Sequence, residues 1–116
     1  ATGHLVWEAL EAAKFLKEIN IHAEVINIHT IKPLDKDVIS YISSLDVPIV
    51  IYEESSLLGG FGSSVLEYFV MNNMDTSKIT LMGIKDEFIE QGSKDLILEE
   101  LNLDLTSIIK KIKEVI

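Results

Sequence analysis

The chain contains no cysteine and no arginine among its 116 residues. The absence of cysteine excludes disulfides, zinc–thiolate sites and cysteine nucleophiles. The absence of arginine removes the one side chain that clamps a phosphate or carboxylate through two parallel hydrogen bonds. The formal net charge of −9 opposes binding to nucleic acids and to anionic membranes. Any chemistry must therefore come from His, Asp, Glu, Lys, Ser, Thr or Tyr.

Long apolar runs are also lacking. No stretch approaches the roughly 20 residues of a transmembrane helix, and the start has no basic region followed by an apolar one. We expect residues 1–116 to form one soluble domain. Ala1-Thr2-Gly3 leads at once into helical periodicity, which we interpret as a fragment or subunit of a larger polypeptide. Removal of an initiator Met before Ala is the alternative interpretation.

Hydrophobic periodicity predicts helices that alternate with short strands. An amphipathic helix is predicted from Leu5 to Ile19, and Asp35 is a predicted N-cap for a second helix from Lys36 to Leu45. Such alternation indicates an α/β sandwich with a mostly parallel sheet. The other predicted elements are strands Glu24–His29, Ile49–Tyr52 and Lys78–Ile84, a helix from Ser93 to Leu101, and a final helix carrying Ile108, Ile109, Ile112, Val115 and Ile116.

The most informative stretch runs from Pro48 to Asn73 and reads as strand, acidic pair, glycine-rich turn and helix. Ligands of open α/β sheets gather at the carboxyl ends of strands, so this turn is the candidate site. Glu53 and Glu54 end the strand, where adjacent side chains point to opposite faces. They are therefore not an acid/base pair; we expect one of them to contact the turn. Ser64 and Glu67 predict a capping box that opens the helix at Val65.

The turn contains Gly59, Gly60 and Gly62 immediately before a helix, an arrangement whose backbone N–H groups favour anions. It matches neither G-x-G-x-x-G nor a P-loop, which ends in Lys followed by Ser or Thr. We favour a structural role, in which the glycines permit close backbone packing and positive φ angles. A self-standing module that binds a nucleotide or another anion through this turn is the alternative.

Two apolar features predict a contact with another surface. Trp7 falls on the polar side of the first helix, where it either lies over lysine stems or meets a partner. The helix after Ser64 is apolar nearly all round, which is typical of a helix covered on two sides. Tyr68 and Met71 are its candidate interface residues. The three histidines are not spaced as metal ligands, and His29 is expected to be a structural residue at a strand end.

Four segments, in this order and spacing, resemble the C-terminal domain of transketolase-type thiamine diphosphate enzymes. They are ATGHLVWEALEAA, EVINIHTIKPLD, EESSLLGGFGSSVLE and GIKDEFIEQGS, and the resemblance covers essentially the whole chain. The family includes transketolase, its split form and 1-deoxy-D-xylulose-5-phosphate synthase. HTIKPLD and GIKD are more similar to the split transketolases, whereas FIEQG and LNLD are more similar to the synthase.

The resemblance implies a three-layer α/β/α sandwich with a mixed, mostly parallel sheet of about five strands, whose first strand lies mostly upstream of Ala1. It also implies that other domains hold thiamine diphosphate and its divalent metal, and that this chain is inactive alone. No catalytic, cofactor-binding or metal-binding residue is therefore assigned. The positions that match the family motif are Glu53, Gly59, Gly60, Gly62 and Ser63.

The same resemblance implies the partners and the reaction. The partners are the N-terminal and middle domains, or the corresponding subunit, in a cytoplasmic homodimer without nucleic acid or membrane. The whole enzyme transfers ketol units between sugar phosphates, or condenses pyruvate with glyceraldehyde 3-phosphate. A receiver-like signalling domain is disfavoured, since it needs clustered aspartates on an early strand and Glu24–His29 has none.

Overall fold

The computed structural model describes residues 1–29, 32–85, 98–99 and 101–116. Most of the helix predicted from Ser93 to Leu101 lies outside these residues. No helix in the described ranges is long and apolar enough to cross a membrane. In chain order the elements are α1 Leu5–Glu18, α2 Lys36–Ser44, β1 Ile49–Ser56, α3 Phe61–Met71, β2 Ile79–Ile84 and α4 Leu105–Val115.

Strands β1 and β2 pair in parallel at the centre of the domain. Ile49 is aligned with Ile79 and Tyr52 with Met82, and the register shifts before Ser56. Because successive side chains of a strand point to opposite faces, Tyr52 enters one core cluster and Ile51 the other. Both faces of the sheet are therefore apolar and covered, as is usual for parallel strands.

Helices α1 and α4 cover the first face. The hydroxyl of the buried Tyr52 donates a hydrogen bond to the carbonyl oxygen of Leu103, and burial raises the pKa of Tyr52 well above its usual range. That bond ties the sheet to the segment leading into α4. The buried members of this cluster are Leu5, Ala9, Ala12, Tyr52, Met82, Leu98, Leu103 and Ile108.

Helices α2 and α3 cover the second face, which completes the predicted three-layer α/β/α arrangement. The Asp35 side chain accepts hydrogen bonds from the backbone N–H groups of Asp37 (3.1 Å) and Val38 (3.2 Å), so the predicted N-cap of α2 is confirmed. The buried residues of this cluster are Ile28, Ile39, Ile51, Phe61, Val65 and Phe69.

The sheet differs from the prediction in its strand count. We expected about five strands, including Glu24–His29, but the described residues form a two-stranded sheet. In the segment Glu24–His29, backbone hydrogen bonds join Ala1 to Ile26 and Ile28, and no regular strand results. The prediction of a strand here is wrong. Among the described residues, Ala1 is the one whose backbone pairs with this segment, whereas a strand requires hydrogen bonds at several successive residues.

The amino group of Ala1 provides a test of this packing. It donates to the carbonyl oxygen of Ile26 at 3.0 Å, and burial lowers its pKa from 8.0 to about 6. Between pH 6 and 8 the unfolded chain therefore binds more protons than the folded one. We expect the unfolding free energy of the 116-residue chain to rise across this window, by up to about 3 kcal/mol, in urea titrations at several pH values.

Acetylation of the Ala1 amine is the matched control, because the acetyl amide keeps an N–H donor but does not titrate. The pH dependence of the unfolding free energy that remains in the acetylated chain comes from titratable groups other than the Ala1 amine. Identical pH profiles for the two chains would contradict the buried position of the amine.

Candidate functional site

The site is built around Glu53, which lies on β1 and faces α3. Its side chain is 0% exposed, and it is the buried charged residue among those the structure describes. Strand β1 continues to Ser56, two residues past Glu54, where we expected the strand to end. This places the carboxylate inside the domain, beneath the glycine turn. A carboxylate in such a position is costly unless hydrogen bonds compensate the lost hydration.

The amino end of α3 supplies hydrogen bonds that compensate the Glu53 carboxylate for its lost hydration. The backbone N–H of Phe61 donates to Oε2 at 2.7 Å and that of Gly62 donates to Oε1 at 2.9 Å. The hydroxyl of Ser55 also donates to Oε2. The first N–H groups of a helix have no partner within the helix, and the helix dipole favours negative charge there. Glu53 therefore caps α3 from a neighbouring element, as we expected of one of the two glutamates.

The predicted capping box is wrong. Helix α3 begins at Phe61 rather than Val65, and its N-cap residue, Gly60, has no side chain to make a capping bond. The Ser64 hydroxyl instead donates to the Gly60 carbonyl oxygen at 3.2 Å, within the first turn. The helix starts four residues early because the Glu53 carboxylate accepts from the N–H groups of Phe61 and Gly62, which satisfies a first turn that precedes Ser64.

The glycines of the turn allow this close approach. A Cβ atom at Gly60 would overlap the Ser56 carbonyl oxygen and lie 2.7 Å from Glu53 Oε2. At Gly62 it would lie 2.9 Å from Glu53 Oε1 and 2.9 Å from Leu81 Cδ2. Glycine is required at position 59 for a different reason. Its φ of +73° lies in the left-handed region, and no atom lies within 4 Å of the added Cβ.

Gly83, on β2, belongs to the same site, although it was not among the predicted site residues. Its Cβ would meet Leu57 Cδ2 at 2.8 Å and Glu53 Cγ at 3.0 Å. A glycine inside an apolar strand indicates close approach by another group, which is the signal that could have identified it. Ser63 closes the turn, because its hydroxyl donates to the Leu57 carbonyl oxygen.

Glu54 faces away from this site, as the alternation of a strand requires. It lies close enough to Tyr52, on the α1 face of the sheet, for its charge to help raise the pKa of that phenol, after burial and the charges of Glu8 and Asp104. The two glutamates therefore serve opposite layers, as the alternation of side chains along a strand predicts.

The glycine turn does not fit a phosphate or diphosphate group. The N–H groups of Phe61 and Gly62, which an anion would use, already bind the Glu53 carboxylate. A second anion at this helix end would also be repelled by that charge. The described ranges contain no group of three or more His, Asp or Glu side chains able to hold a metal ion. His29 is exposed, and its Nε2 lies 3.2 Å from Asn27 Nδ2.

The candidate interface residues lie on two separate surfaces. Trp7 is 72% exposed on α1, whereas Met71 is 81% exposed and Val70 66% exposed on α3. Tyr68 is half-buried and packs against the second core cluster. Since α1 and α3 cover opposite faces of the sheet, Trp7 and Met71 do not share one contact surface.

Replacing Glu53 tests the cap. In Glu53→Ala both N–H groups lose their acceptor, and we expect a loss of about 3 kcal/mol in the unfolding free energy. Glu53→Gln keeps the shape, but its NH₂ group faces one of the two N–H donors, so we expect a loss of about 2 kcal/mol. Urea unfolding followed by circular dichroism measures both losses.

The control for the two Glu53 variants is Glu67→Gln, which removes a charge from an exposed position on α3. We expect it to change stability by less than about 0.5 kcal/mol. Equal effects of Glu53→Gln and Glu67→Gln would contradict the capping role.

The three glycine-to-alanine variants should differ in stability according to the atoms that the added methyl group contacts. We expect a loss in unfolding free energy of about 3 kcal/mol for Gly60→Ala, where backbone is overlapped, and about 2 kcal/mol for Gly62→Ala. Gly59→Ala should lose about 1 kcal/mol, from its left-handed φ alone. Denaturant unfolding of the three variants gives the order directly, and a loss for Gly59→Ala equal to that for Gly60→Ala would refute it.

Comparison with known proteins agrees with this geometry. Residues 1–108 match the sequence profile of the family described as Transketolase, C-terminal domain. The chain is 43% identical over 108 residues to 1-deoxy-D-xylulose-5-phosphate synthase of Listeria monocytogenes serotype 4b, covering 93% of this chain and 18% of that protein. The synthase of Geobacillus sp. is 40% identical over 114 residues, covering 98% of this chain and 18% of that protein. The chain thus spans about a fifth of the length of these curated relatives.

A solved structure has the same fold. A split gene transketolase, described as an inactive beta4 tetramer, superposes with a TM-score of 0.84 at 27% identity, covering 98% of this chain and 37% of that one. The predicted fold class is confirmed by this likeness, and the predicted family by the sequence profile and the two synthases. The chain belongs to the transketolase C-terminal domain family.

Proposed function

We propose that this chain is the C-terminal domain of a 1-deoxy-D-xylulose-5-phosphate synthase rather than of a transketolase. The observation that carries the proposal is the identity of 40% or more to synthases over nearly the whole chain, compared with 27% to the split transketolase. In the whole enzyme, the reaction would join pyruvate to glyceraldehyde 3-phosphate. The higher identity favours the synthase over the transketolase, the two enzymes that the sequence motifs left open.

Within that enzyme, we propose that the domain supports assembly and supplies no catalytic residue. Glu53, the buried carboxylate among the residues that the structure describes, is engaged by backbone N–H groups of α3 and is shielded from solvent. A general acid or base has to reach a proton on the substrate, which this carboxylate does not. The same contacts argue against the alternative of a self-standing anion-binding module.

Thiamine diphosphate and its divalent metal would accordingly be bound outside residues 1–116. The family implies this cofactor, but the glycine turn does not fit a diphosphate because Glu53 already fills the amino end of α3. The chain also has no arginine with which to hold one elsewhere. We therefore assign no catalytic step to this chain.

Two exposed apolar surfaces support contacts with other parts of the enzyme. Trp7 on α1 and the pair Val70 and Met71 on α3 are large, exposed and on opposite faces of the sheet. Aromatic and Met side chains are enriched at interface centres. We propose that these surfaces meet the N-terminal and middle domains of the same enzyme and the second copy in a homodimer, in the cytoplasm.

A chimera tests the proposed function. The matching C-terminal region of the Listeria monocytogenes synthase is replaced by this chain, and formation of 1-deoxy-D-xylulose 5-phosphate from pyruvate and glyceraldehyde 3-phosphate is measured. We expect activity in the chimera, none in this chain alone, and no heat when this chain is titrated with thiamine diphosphate.

Interface variants make the chimera informative. Trp7→Asp and Met71→Asp should lower activity and assembly together, since a charge is placed in an apolar contact. Ser40→Asp, at an exposed position on α2, is the control and should leave both unchanged. A chimera that folds and assembles but forms no product would contradict the synthase assignment.

A further inference from the structure

An exposed apolar face runs along the outer side of α3. Phe61, Val65 and Phe69 turn inward and are buried in the second core cluster. Residues three or four apart share one side of a helix, so the opposite side also carries a row of its own. That row, together with one residue of the preceding turn, is called the α3 face and consists of Leu58, Leu66, Val70 and Met71. Three of these four side chains are at least 66% exposed.

The turn before α3 belongs to this face. The Ser63 hydroxyl donates to the Leu57 carbonyl oxygen, which holds the turn against the first turn of the helix. Ser63 lies on the same side of α3 as Val70, because seven residues make about two helical turns. The Leu57 side chain points inward, to where a Cβ on Gly83 would lie, whereas Leu58 is 69% exposed. The α3 face therefore extends from the turn along two turns of helix.

The α3 face is almost free of charge. A quarter of the residues in the chain are charged, but the stretch from Ser55 to Met74 carries a single charge, that of Glu67. Glu67 is exposed and lies beside the face, where it stays in contact with water. Helix α1, which presents Trp7, carries five charged residues instead. The two exposed apolar surfaces of the domain therefore differ sharply in charge.

This difference in charge indicates which surface suits which partner. Each copy of the chain has a net charge of −9, so two copies repel each other, and least where the touching surfaces are uncharged. Interfaces between identical subunits are more apolar than other interfaces and are depleted in charged residues. Contacts between domains of one polypeptide are more polar. The α3 face has the composition of the first kind and the surface around Trp7 that of the second.

The shape of the α3 face agrees with a two-fold pairing. In such an interface the same residues of both copies meet, and each contact occurs twice. If two α3 helices run antiparallel and cross near Leu66, Val70 of one copy lies over Ser63 of the other. A valine then packs beside a short side chain, as a ridge fits a groove between packed helices.

We propose that the α3 face is the surface through which two copies of this chain associate, as an antiparallel pair of α3 helices about a two-fold axis. The surface around Trp7 then contacts another part of the same polypeptide. This assignment deepens the assembly role proposed above and depends on it.

A charge placed on each surface tests the assignment. Sedimentation equilibrium of the 116-residue chain is compared for Val70→Asp and for Trp7→Asp, the matched control, with circular dichroism to confirm that both variants fold. We expect Val70→Asp to raise the dimer Kd at least about 100-fold, because it buries an unpaired charge, and Trp7→Asp to change it less than about 3-fold. A chain that stays monomeric up to about 1 mM would overturn the proposal, as would equal effects of the two variants.

Disulfide cross-linking gives a second measurement, which is clean because the chain has no cysteine of its own. Leu66→Cys places a thiol next to the two-fold axis, where the thiols of both copies come within bonding distance. Under copper-catalysed oxidation by air, we expect this variant to form covalent dimers, and Trp7→Cys at the same concentration to remain uncoupled. Equal yields of covalent dimer from the two variants would overturn the proposal.

The proposals fail separately. A chain that does not associate through α3 but supports product formation in the chimera would overturn this assignment alone. A chimera that assembles but forms no product would contradict the synthase assignment and leave the measured association of α3 in place.

Discussion

The buried carboxylate of Glu53 is the interaction on which the rest of this domain depends. It joins β1 to the amino end of α3 through two backbone N–H groups, and so satisfies the helix end and the buried charge together. The requirement for glycine follows from it: Gly60, Gly62 and Gly83 each lie where a Cβ atom would approach Glu53 to 3.0 Å or less. A motif that resembles a phosphate loop is thus a site already filled by the protein's own anion.

This filled site supports the proposal that the most distinctive segment of the sequence is not a centre of chemistry. In many α/β proteins, a glycine turn before a helix leaves N–H groups free for a ligand. Here those groups hold the second layer of helices against the sheet, and large exposed apolar residues lie on α1, on α3 and at Leu58 in the turn itself. These features support the proposed assembly role, and the chain spans only a small share of the length of its relatives.

The sequence predicted those features that depend on local pattern. The amphipathic period of α1, the Asp35 cap and the apolar runs of β1 and β2 are all encoded within a few neighbouring residues. Features that depend on distant contacts were predicted only in part: one of the two glutamates was expected to contact the turn, but the pattern did not say which one and gave no role to Gly83. Glu53 caps a helix that starts eight residues later, and Gly83 packs against it from another strand. Serine and glutamate at the spacing of a capping box were misleading, because tertiary contacts override such local signals.

The most direct test of this account is amide hydrogen exchange at Phe61 and Gly62. Amides in the first turn of a helix lack partners within the helix and normally exchange quickly. If Glu53 binds them inside the core, their exchange should be as slow as that of the buried strand residues and should track global unfolding. Exchange of these two amides at the rate of an exposed loop amide such as that of Val47 would contradict the central role of Glu53.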